Sequence, residues 1–444
     1  MSFVRNTASV LVTSTILVPI GLVAGVVVTR NLSVDDRGMF GLVTALTTTA
    51  VLFLNLGWPA AAIYRLKRLG ASPPQVIGQN LVATAATSAP AVALGLLAAD
   101  PIRAWLGKEL PVELIACALV MVPLVLVSRS MSFIAQGIDR FDIRARATFV
   151  GALARLVGLA AAWWLVPGSL LGCVVAVLAA QALATLYASV GVIRAGGVSF
   201  APRDDSPEVR RDVRRFATAS YTQNMLGELH EHLDILMLGA LLAQKGEIAI
   251  YGVAVTLVTQ LKLVPNSIAT ALFPHIAGER PEEAARFVSK VSRHSTLLAL
   301  LGAVGLALVG PPLVRTLYGE AYAASAAPLW ILLPGMAVYT VYRVLARYFV
   351  ALGRQRVNIT TQALAVTVNV ALNFVLIPRH GAVGAAIASL VSYSLEAVLI
   401  AVSFMRASGQ GFRETFVFSW STDSPPYLSR LRALRDRLRR PRAR

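Results

Sequence analysis

Long apolar stretches alternate with short polar loops along the whole chain, and twelve of these stretches are long enough to cross a lipid bilayer. The first contains about 21 residues, which as a helix is ~31 Å long and matches a hydrocarbon core of ~30 Å. The predicted spans are 8–28, 39–62, 77–99, 113–134, 148–166, 169–193, 216–241, 249–273, 295–314, 324–346, 357–377 and 382–404. The pattern therefore predicts an all-α integral membrane protein with twelve transmembrane helices.

The loops between these spans alternate between arginine-poor and arginine-rich. Loops after odd-numbered spans contain few cations, and acids usually offset them, as Asp35 and Asp36 do beside Arg30 and Arg37. Loops after even-numbered spans are basic, and the longest contains Arg203, Arg210, Arg211, Arg214 and Arg215. Because cations beside short loops stay on the cytoplasmic side during insertion, we expect a protein of the cytoplasmic membrane with both termini in the cytoplasm.

The longest internal loop divides the chain into two halves of six spans that resemble each other. The segment 36–44, which enters span two, is similar to the segment 247–255, which enters span eight. An even number of spans gives both halves the same orientation, so the repeat is parallel around an axis normal to the membrane. The expected domains are a first six-helix bundle (1–193), a cytoplasmic linker (194–215), a second six-helix bundle (216–404) and a basic cytoplasmic tail (405–444), with a central cleft between the bundles.

Composition excludes a soluble protein and makes several partners implausible. The chain has 444 residues, of which 56% are hydrophobic and 14% charged. A net charge of +18 would suggest nucleic acid in a soluble chain, but here the topology accounts for the cations, so we expect no nucleic-acid partner. Both cysteines, Cys117 and Cys173, fall inside spans, which argues against a disulfide framework or a thiolate metal site.

Several short motifs occur in an order that resembles one superfamily of membrane transporters. They are Thr29-Arg30-Asn31-Leu32 before Gly38-Met39-Phe40-Gly41, Leu233-Asp234-Ile235-Leu236, Ile250-Tyr251-Gly252, Leu263-Val264-Pro265-Asn266, Leu272-Phe273-Pro274, Tyr318-Gly319-Glu320, Leu352-Gly353-Arg354, Asn369-Val370-Ala371-Leu372-Asn373 and Ile377-Pro378-Arg379-His380-Gly381. Up to about residue 405 the chain resembles the Wzx-type lipid-linked oligosaccharide flippases of the multidrug/oligosaccharidyl-lipid/polysaccharide superfamily, and more distantly the lipid II flippase MurJ.

The resemblance implies a function in surface polysaccharide synthesis. A Wzx-type flippase moves an undecaprenyl-pyrophosphate-linked oligosaccharide from the inner to the outer leaflet by alternating access. Glycosyltransferases or a polymerase of the same pathway are then possible partners. The sugars differ widely across such a family, so the resemblance does not identify the glycan.

Span seven contains the densest group of ionisable residues at membrane depth. These are Glu228, His230, Glu231, His232 and Asp234. At ~100° per residue, Tyr221, Asn224, Glu228, Glu231 and His232 share one broad face, while Gln223, His230 and Asp234 lie nearly opposite. We therefore expect one face to point into the cleft and the other to pack against neighbouring spans.

Buried ionisable groups are costly in a membrane, so this cluster is a candidate for ion coupling or proton transfer, together with Glu396 of span twelve. The alternative is that its carboxylates form buried ion pairs with Lys262 or Arg155 that only fix the helix register. Histidines two positions apart on a helix diverge by ~200°, so we expect no metal site and no cofactor.

A lipid pyrophosphate also requires cations, because arginine in particular matches the geometry of phosphate oxygens. The candidate headgroup contacts are Arg30 and Arg37 at the outer mouth, and Arg129, Arg155 and Lys262 within spans. Arg155 lies about eight residues, or ~12 Å, inside the membrane and needs a partner or a wet cavity. We interpret Arg343 and Arg347, near the inner end of span ten, as side chains that snorkel to the cytoplasmic interface.

A transporter is the favoured function, and the chain has no extramembrane domain for an enzyme. A membrane glycosyltransferase is disfavoured because the turn at Asp35 and Asp36 is too short for a donor site. A multidrug exporter would need a cleft rich in acids and aromatics, and a non-transporting scaffold for polysaccharide enzymes remains a further alternative. The arginine-rich tail, 429–444, either rests on anionic membrane lipids or is a solvated topological anchor.

Overall fold

The computed structural model describes residues 2–106, 110–201, 205–242, 244–262, 272, 276 and 279–417, and within these ranges it is helical, with no strand. The first half contains α1 (Ser2–Asn31), α2 (Val34–Leu54), α3 (Trp58–Arg68), α4 (Pro73–Leu97), α5 (Ala99–Leu106), α6 (Val112–Gly137), α7 (Phe141–Leu165) and α8 (Leu170–Gly196). The second half contains α9 (Pro207–Leu241), α10 (Gly246–Val258), α11 (Pro281–Tyr318), α12 (Ala326–Ala351), α13 (Gln355–Ser408) and α14 (Phe412–Phe416), with 3-10 turns at Thr259–Lys262 and Glu320–Ser325.

The helices follow the predicted spans, and the protein is a multi-pass membrane protein. Eight of the described helices are long and apolar enough to cross a membrane. The other crossings are α1, which is apolar from Leu17 to Asn31, α9, which is richer in polar residues, and α10, which has only 13 residues. Helix α13 contains two crossings that meet at a break at Gly381 (φ 53°). The part of span eight in residues 263–271, including the motif at Pro265, lies outside the described residues, as does Pro274.

Span two is broken about three quarters of the way along its predicted length, which the hydropathy pattern does not indicate. Leu56 (φ 44°) and Gly57 (φ 77°) adopt left-handed backbone conformations between α2 and α3. A Cβ atom at Gly57 would lie 2.6 Å from the carbonyl oxygen of Ala217 on α9, so only glycine permits this approach. Seven residues further along the chain, the Tyr64 ring stacks on that of Phe216 with centroids 4.7 Å apart, which joins the two halves at α3 and α9.

The two halves are also in contact at the helix ends that the charge pattern places outside. The Asp35 carboxylate accepts a hydrogen bond from the backbone N–H of Gly246 at 2.8 Å. Gly38 packs so closely on α10 that a Cβ atom there would overlap the carbonyl oxygen of Lys245. The Arg30 guanidinium donates to the carbonyl oxygen of Leu317 at 2.8 Å and to that of Thr316 at 2.5 Å, at the end of α11. These ends of the two halves are therefore closed against each other.

At the opposite ends, helices extend into segments that the sequence predicts as loops. In the predicted linker 194–215, α8 continues to Gly196 and α9 begins at Pro207, so only 197–206 lies between helices. After α13 ends, the short helix α14 returns to α11, where Arg293 donates to the carbonyl oxygen of Glu414. Residues 418–444, which include the basic tail, lie outside the described residues.

Candidate substrate and coupling site

Two adjoining cavities at membrane depth share Arg37 and Arg155, and together we call them the basic chamber. One, of about 310 Å³, lies between the halves, and Thr44 of α2, Glu231 and His232 of α9 and Lys262 also line it. The other, of about 480 Å³, lies within the first half among α1, α6, α7 and α8. Both reach the same two guanidinium groups, so the predicted cleft is present and cationic.

Arg37 and Arg155 are the cations most available to a ligand. The Arg155 side chain, on α7, is exposed and lines both cavities of the basic chamber. The Arg37 Nε donates to the Thr29 hydroxyl at 3.1 Å, and its guanidinium lies 5.5 Å from the centre of the Phe40 ring. In the described part of the chain neither arginine forms an ion pair. Two uncompensated positive charges in a low-dielectric cavity attract an anion.

The other two predicted cations within spans are paired with acids of α9. Arg129 on α6 makes a bidentate ion pair with Glu228, with N···O distances of 2.9, 3.1 and 3.1 Å, and so connects the two halves. Lys262 lies 2.9 Å from the Glu231 carboxylate and 5.1 Å from the centre of the Tyr339 ring. About a third of each glutamate side chain is exposed, so both pairs border the water-accessible space.

The opposite face of α9 is dry and packs on α13. Asp234 is buried there, and its carboxylate accepts hydrogen bonds from the Tyr251 hydroxyl at 2.5 Å, the Asn373 amide at 2.7 Å and the Ser389 hydroxyl. Each donor is a neutral side chain from α10 or α13. The buried charge is therefore stabilised by three hydrogen bonds, and no described cation is paired with it.

A chain of hydrogen bonds continues from this carboxylate to His230, which lies beside a second buried acid. Asn373 donates to Asn369 at 3.0 Å, and Asn369 donates to Ser392 at 3.4 Å. The His230 Nε2 shares a hydrogen bond of 2.8 Å with Ser392, and its Nδ1 lies 3.4 Å from Glu396. Glu396 is fully buried, and neither of its oxygens has a hydrogen-bond partner. His230 and Glu396 thus form a buried imidazole–carboxylate pair behind the chamber.

The structure separates the sequence candidates into distinct places. Arg30 lies outside the chamber and caps the end of α11, since its guanidinium satisfies carbonyl groups that a helix end leaves without partners. Gln223, which the helical periodicity groups with the buried face of α9, instead lines a cavity together with Asn224. Arg343 and Arg347 line this same cavity rather than the lipid interface, which departs from the interpretation as snorkelling side chains.

Sequence reasoning missed the polar residues of α10 and α13 that surround Asp234. They are Tyr251, Asn369, Asn373, Ser389 and Ser392. A signal was present, because Asn369 and Asn373 are four residues apart in an apolar helix, and Ser389, Ser392 and Glu396 follow with spacings of three and four. Such a polar stripe on a membrane helix predicts a buried network.

A model of the family described as "Polysaccharide biosynthesis protein" matches residues 3–278 of the chain. The chain belongs to this family. Among curated proteins, this family member is similar to one from Haloferax volcanii named "Probable low-salt glycan biosynthesis flippase Agl15". The two are 21% identical over 378 residues, which cover 83% of this chain and 76% of the relative.

Two solved structures show the same fold at low sequence identity. An inward-facing multidrug resistance MATE family transporter of the MOP superfamily superposes with a TM-score of 0.73 at 15% identity, covering 88% of this family member and 94% of the transporter. The lipid II flippase MurJ, in an inward closed conformation, gives 0.70 at 12% identity and covers 89% of each chain. The family member therefore shares the fold of these two membrane transporters.

Proposed function

We propose that this protein is a flippase that moves an undecaprenyl-pyrophosphate-linked oligosaccharide from the inner to the outer leaflet of the cytoplasmic membrane. The observation that carries the proposal is the pair Arg37 and Arg155, which line both cavities of the basic chamber and form no ion pair with a described residue. A pyrophosphate diester has one negative charge on each phosphate, and two guanidinium groups can neutralise both. The named similarity to a glycan flippase supports the same class of substrate.

A multidrug exporter of the same superfamily is the weaker candidate. An organic cation would need free carboxylates or exposed aromatic faces in the chamber. Glu228 and Glu231 are already bonded to Arg129 and Lys262. The remaining charge in the chamber is positive, which favours an anionic lipid headgroup.

Transport would proceed by alternating access, with the polyprenyl chain kept in lipid while the headgroup crosses inside the protein. The outer ends of the halves are joined through Asp35 and Gly246 and through Arg30 and α11. The headgroup would therefore enter from the cytoplasmic leaflet. Release to the outer leaflet requires these outer contacts to break while the halves close on the inner side.

Energy coupling would use the ionisable residues of α9 and their partners. Glu231 and His232 line the chamber, where substrate charge can change their proton affinity, and Glu228 lies one turn before Glu231 on the same helix. Asp234 and the pair of His230 and Glu396 lie behind them in the buried network. We expect Glu396→Gln to leave headgroup binding intact and to remove the dependence of flipping on a proton gradient. Unchanged dependence on the gradient would assign Glu396 to architecture alone.

The proposal is tested by reconstituting the protein into vesicles with undecaprenyl-pyrophosphate-linked disaccharide in one leaflet. Appearance of the disaccharide at the opposite surface is then followed with a membrane-impermeant glycosidase. We expect transfer that depends on the protein and that Arg37→Gln and Arg155→Gln each slow. Vesicles with the folded wild-type protein that transfer no more lipid than empty vesicles would refute the proposed function.

A further inference from the structure

A separate cavity of about 250 Å³ lies within the second half, enclosed by α9, α12 and α13, and we call it the amide cavity. Its polar wall includes the amides of Gln223, Asn224 and Gln362 and the edges of Tyr339 and Tyr342. Amide side chains both donate and accept hydrogen bonds, which suits a ligand with many hydroxyl groups. The volume accommodates a single sugar ring.

Gln362 is the most informative of these amides. Its side chain is 95% buried, and its carbonyl oxygen has no hydrogen-bond partner. The amide nitrogen approaches α9 at Gly227, where an added Cβ atom would lie 3.3 Å from it. A buried acceptor without a partner is costly unless a ligand or water supplies the donor. Gln362 thus marks a place where a hydroxyl group can bind.

Two arginines of one helix line the amide cavity. Arg343 and Arg347 are four residues apart on α12, which places both on one helix face, and both line the cavity. Arg347 forms no ion pair with any residue that the structure describes. The carboxylates of the same cavity, Glu228 and Glu231, already accept from Arg129 and Lys262.

The cations without an ion-pair partner exceed what a pyrophosphate can balance. The Glu231 side chain lines both the basic chamber and the amide cavity, so the two spaces are neighbours. Glu228 is paired with Arg129 and Glu231 with Lys262, whereas Arg37, Arg155 and Arg347 form no ion pair with a described residue. A pyrophosphate diester bound at Arg37 and Arg155 would leave Arg347 without a counter-charge.

We propose that the transported glycan contains an acidic sugar, of the uronic acid type, within the first two residues after the pyrophosphate. This inference rests on the proposed function and adds a substrate class to it. Arg347, with Arg343 beside it, binds the carboxylate, since the arginine fork matches carboxylate geometry. Asn224 and Gln362 bind the ring hydroxyls, and the pyrophosphate lies in the basic chamber.

The test uses three undecaprenyl-pyrophosphate-linked disaccharides in the vesicle assay. One is glucosyl-glucose, and the other two carry glucuronate in place of either the first or the second glucose. We expect the wild-type protein to flip at least one acidic lipid about tenfold faster than the neutral one. Arg347→Gln should abolish the advantage of the acidic lipid over the neutral one, while Arg347→Lys retains part of that advantage.

Two controls separate this inference from the proposed function. Arg356→Gln removes an exposed cation near the start of α13 and should leave all three rates unchanged. Arg155→Gln should slow neutral and acidic lipids alike. If the wild-type protein flips all three lipids at one rate, or if Arg347→Gln slows them equally, the acidic-sugar inference is overturned and the flippase function stands. If the wild-type protein flips none of them, both fail.

Discussion

Glu231 of α9 and Lys262, at the end of the 3-10 turn after α10, form a 2.9 Å ion pair at the junction of the basic chamber and the amide cavity. Each charge offsets the other in the present arrangement. Removing either one changes the charge of the chamber by one unit, and the two removals act in opposite directions. The pair therefore sets how strongly the chamber attracts an anion.

We predict opposite effects on headgroup affinity from the two neutral substitutions at this pair. Glu231→Gln leaves Lys262 uncompensated and should tighten binding of farnesyl pyrophosphate, a short-chain probe of the headgroup. Lys262→Gln leaves the carboxylate and should weaken it. For two unit charges ~10 Å apart at an effective dielectric constant of ~20–40, the interaction is about 0.8–1.7 kcal/mol, so each change should be at least about four- to seventeenfold.

Isothermal titration in detergent measures both affinities, and the double substitution Glu231→Gln with Lys262→Gln serves as the control. Because it preserves the net charge, it should return the affinity close to that of the wild-type protein. Weaker binding in both single variants would mean that the ion pair acts by holding the fold and not through its charge.

Arg155→Gln should weaken binding of the same probe by about ten- to a hundredfold, because a charge-assisted hydrogen bond contributes about 1.5–3 kcal/mol. The matched control is Arg146→Gln, on the same helix and exposed but away from both cavities. We expect this control to bind as the wild-type protein does. Equal losses in the two variants, or none in either, would remove Arg155 from the headgroup site.

The sequence predicted the number of crossings well, because insertion depends on local hydrophobicity and on cations beside each span. It did not predict where the helices break. Leu56 and Gly381 both have positive φ angles, and such strain depends on contacts made after insertion. At Gly57 the reason is the backbone of Ala217, and at Gly381 it is the carboxylate of Glu247, whose oxygen accepts from the N–H of Ala382 at 2.7 Å.

The candidate site was predictable only as a set of residues at membrane depth. Hydropathy gives the depth of Arg129, Arg155 and Lys262, but the rotation of the helices and the packing of the halves decide which cation meets which carboxylate. Arg129 reaches Glu228 across the interface between halves, whereas Arg155 meets no described acid. Arg30 and Arg37 are only seven residues apart, on either side of the short connection between α1 and α2. Yet Arg30 caps the end of α11, whereas Arg37 lines the chamber.

The buried carboxylate of Asp234 should be sensitive to a change that keeps its shape. In Asp234→Asn, the new amide group would direct N–H donors at the hydroxyl and amide donors of Tyr251, Asn373 and Ser389. A buried polar group without a suitable partner costs about 1–3 kcal/mol. We expect a clearly lower midpoint of thermal unfolding in detergent, whereas Asp212→Asn, at an exposed position of α9, should leave it unchanged. Equal midpoints would mean that the network rearranges freely.

A substitution at Gly38 tests whether contact between the outer ends of α2 and α10 closes the chamber. Gly38→Ala places a methyl group against the Lys245 carbonyl oxygen, and overpacking of this kind typically costs about 1–3 kcal/mol. Because the cost applies only while the outer ends of α2 and α10 touch, the substitution should shift the protein toward an outward-open state.

Thr44 lines the chamber, so a cysteine at this position reports the opening. In a background of Cys117→Ala and Cys173→Ala, a membrane-impermeant maleimide added outside should label Thr44→Cys at least fivefold faster when Gly38→Ala is present. Gly305→Ala, where an added Cβ has no neighbour within 4 Å, should not change the rate. If labelling is unaffected by Gly38→Ala, then the contact between α2 and α10 does not close the chamber.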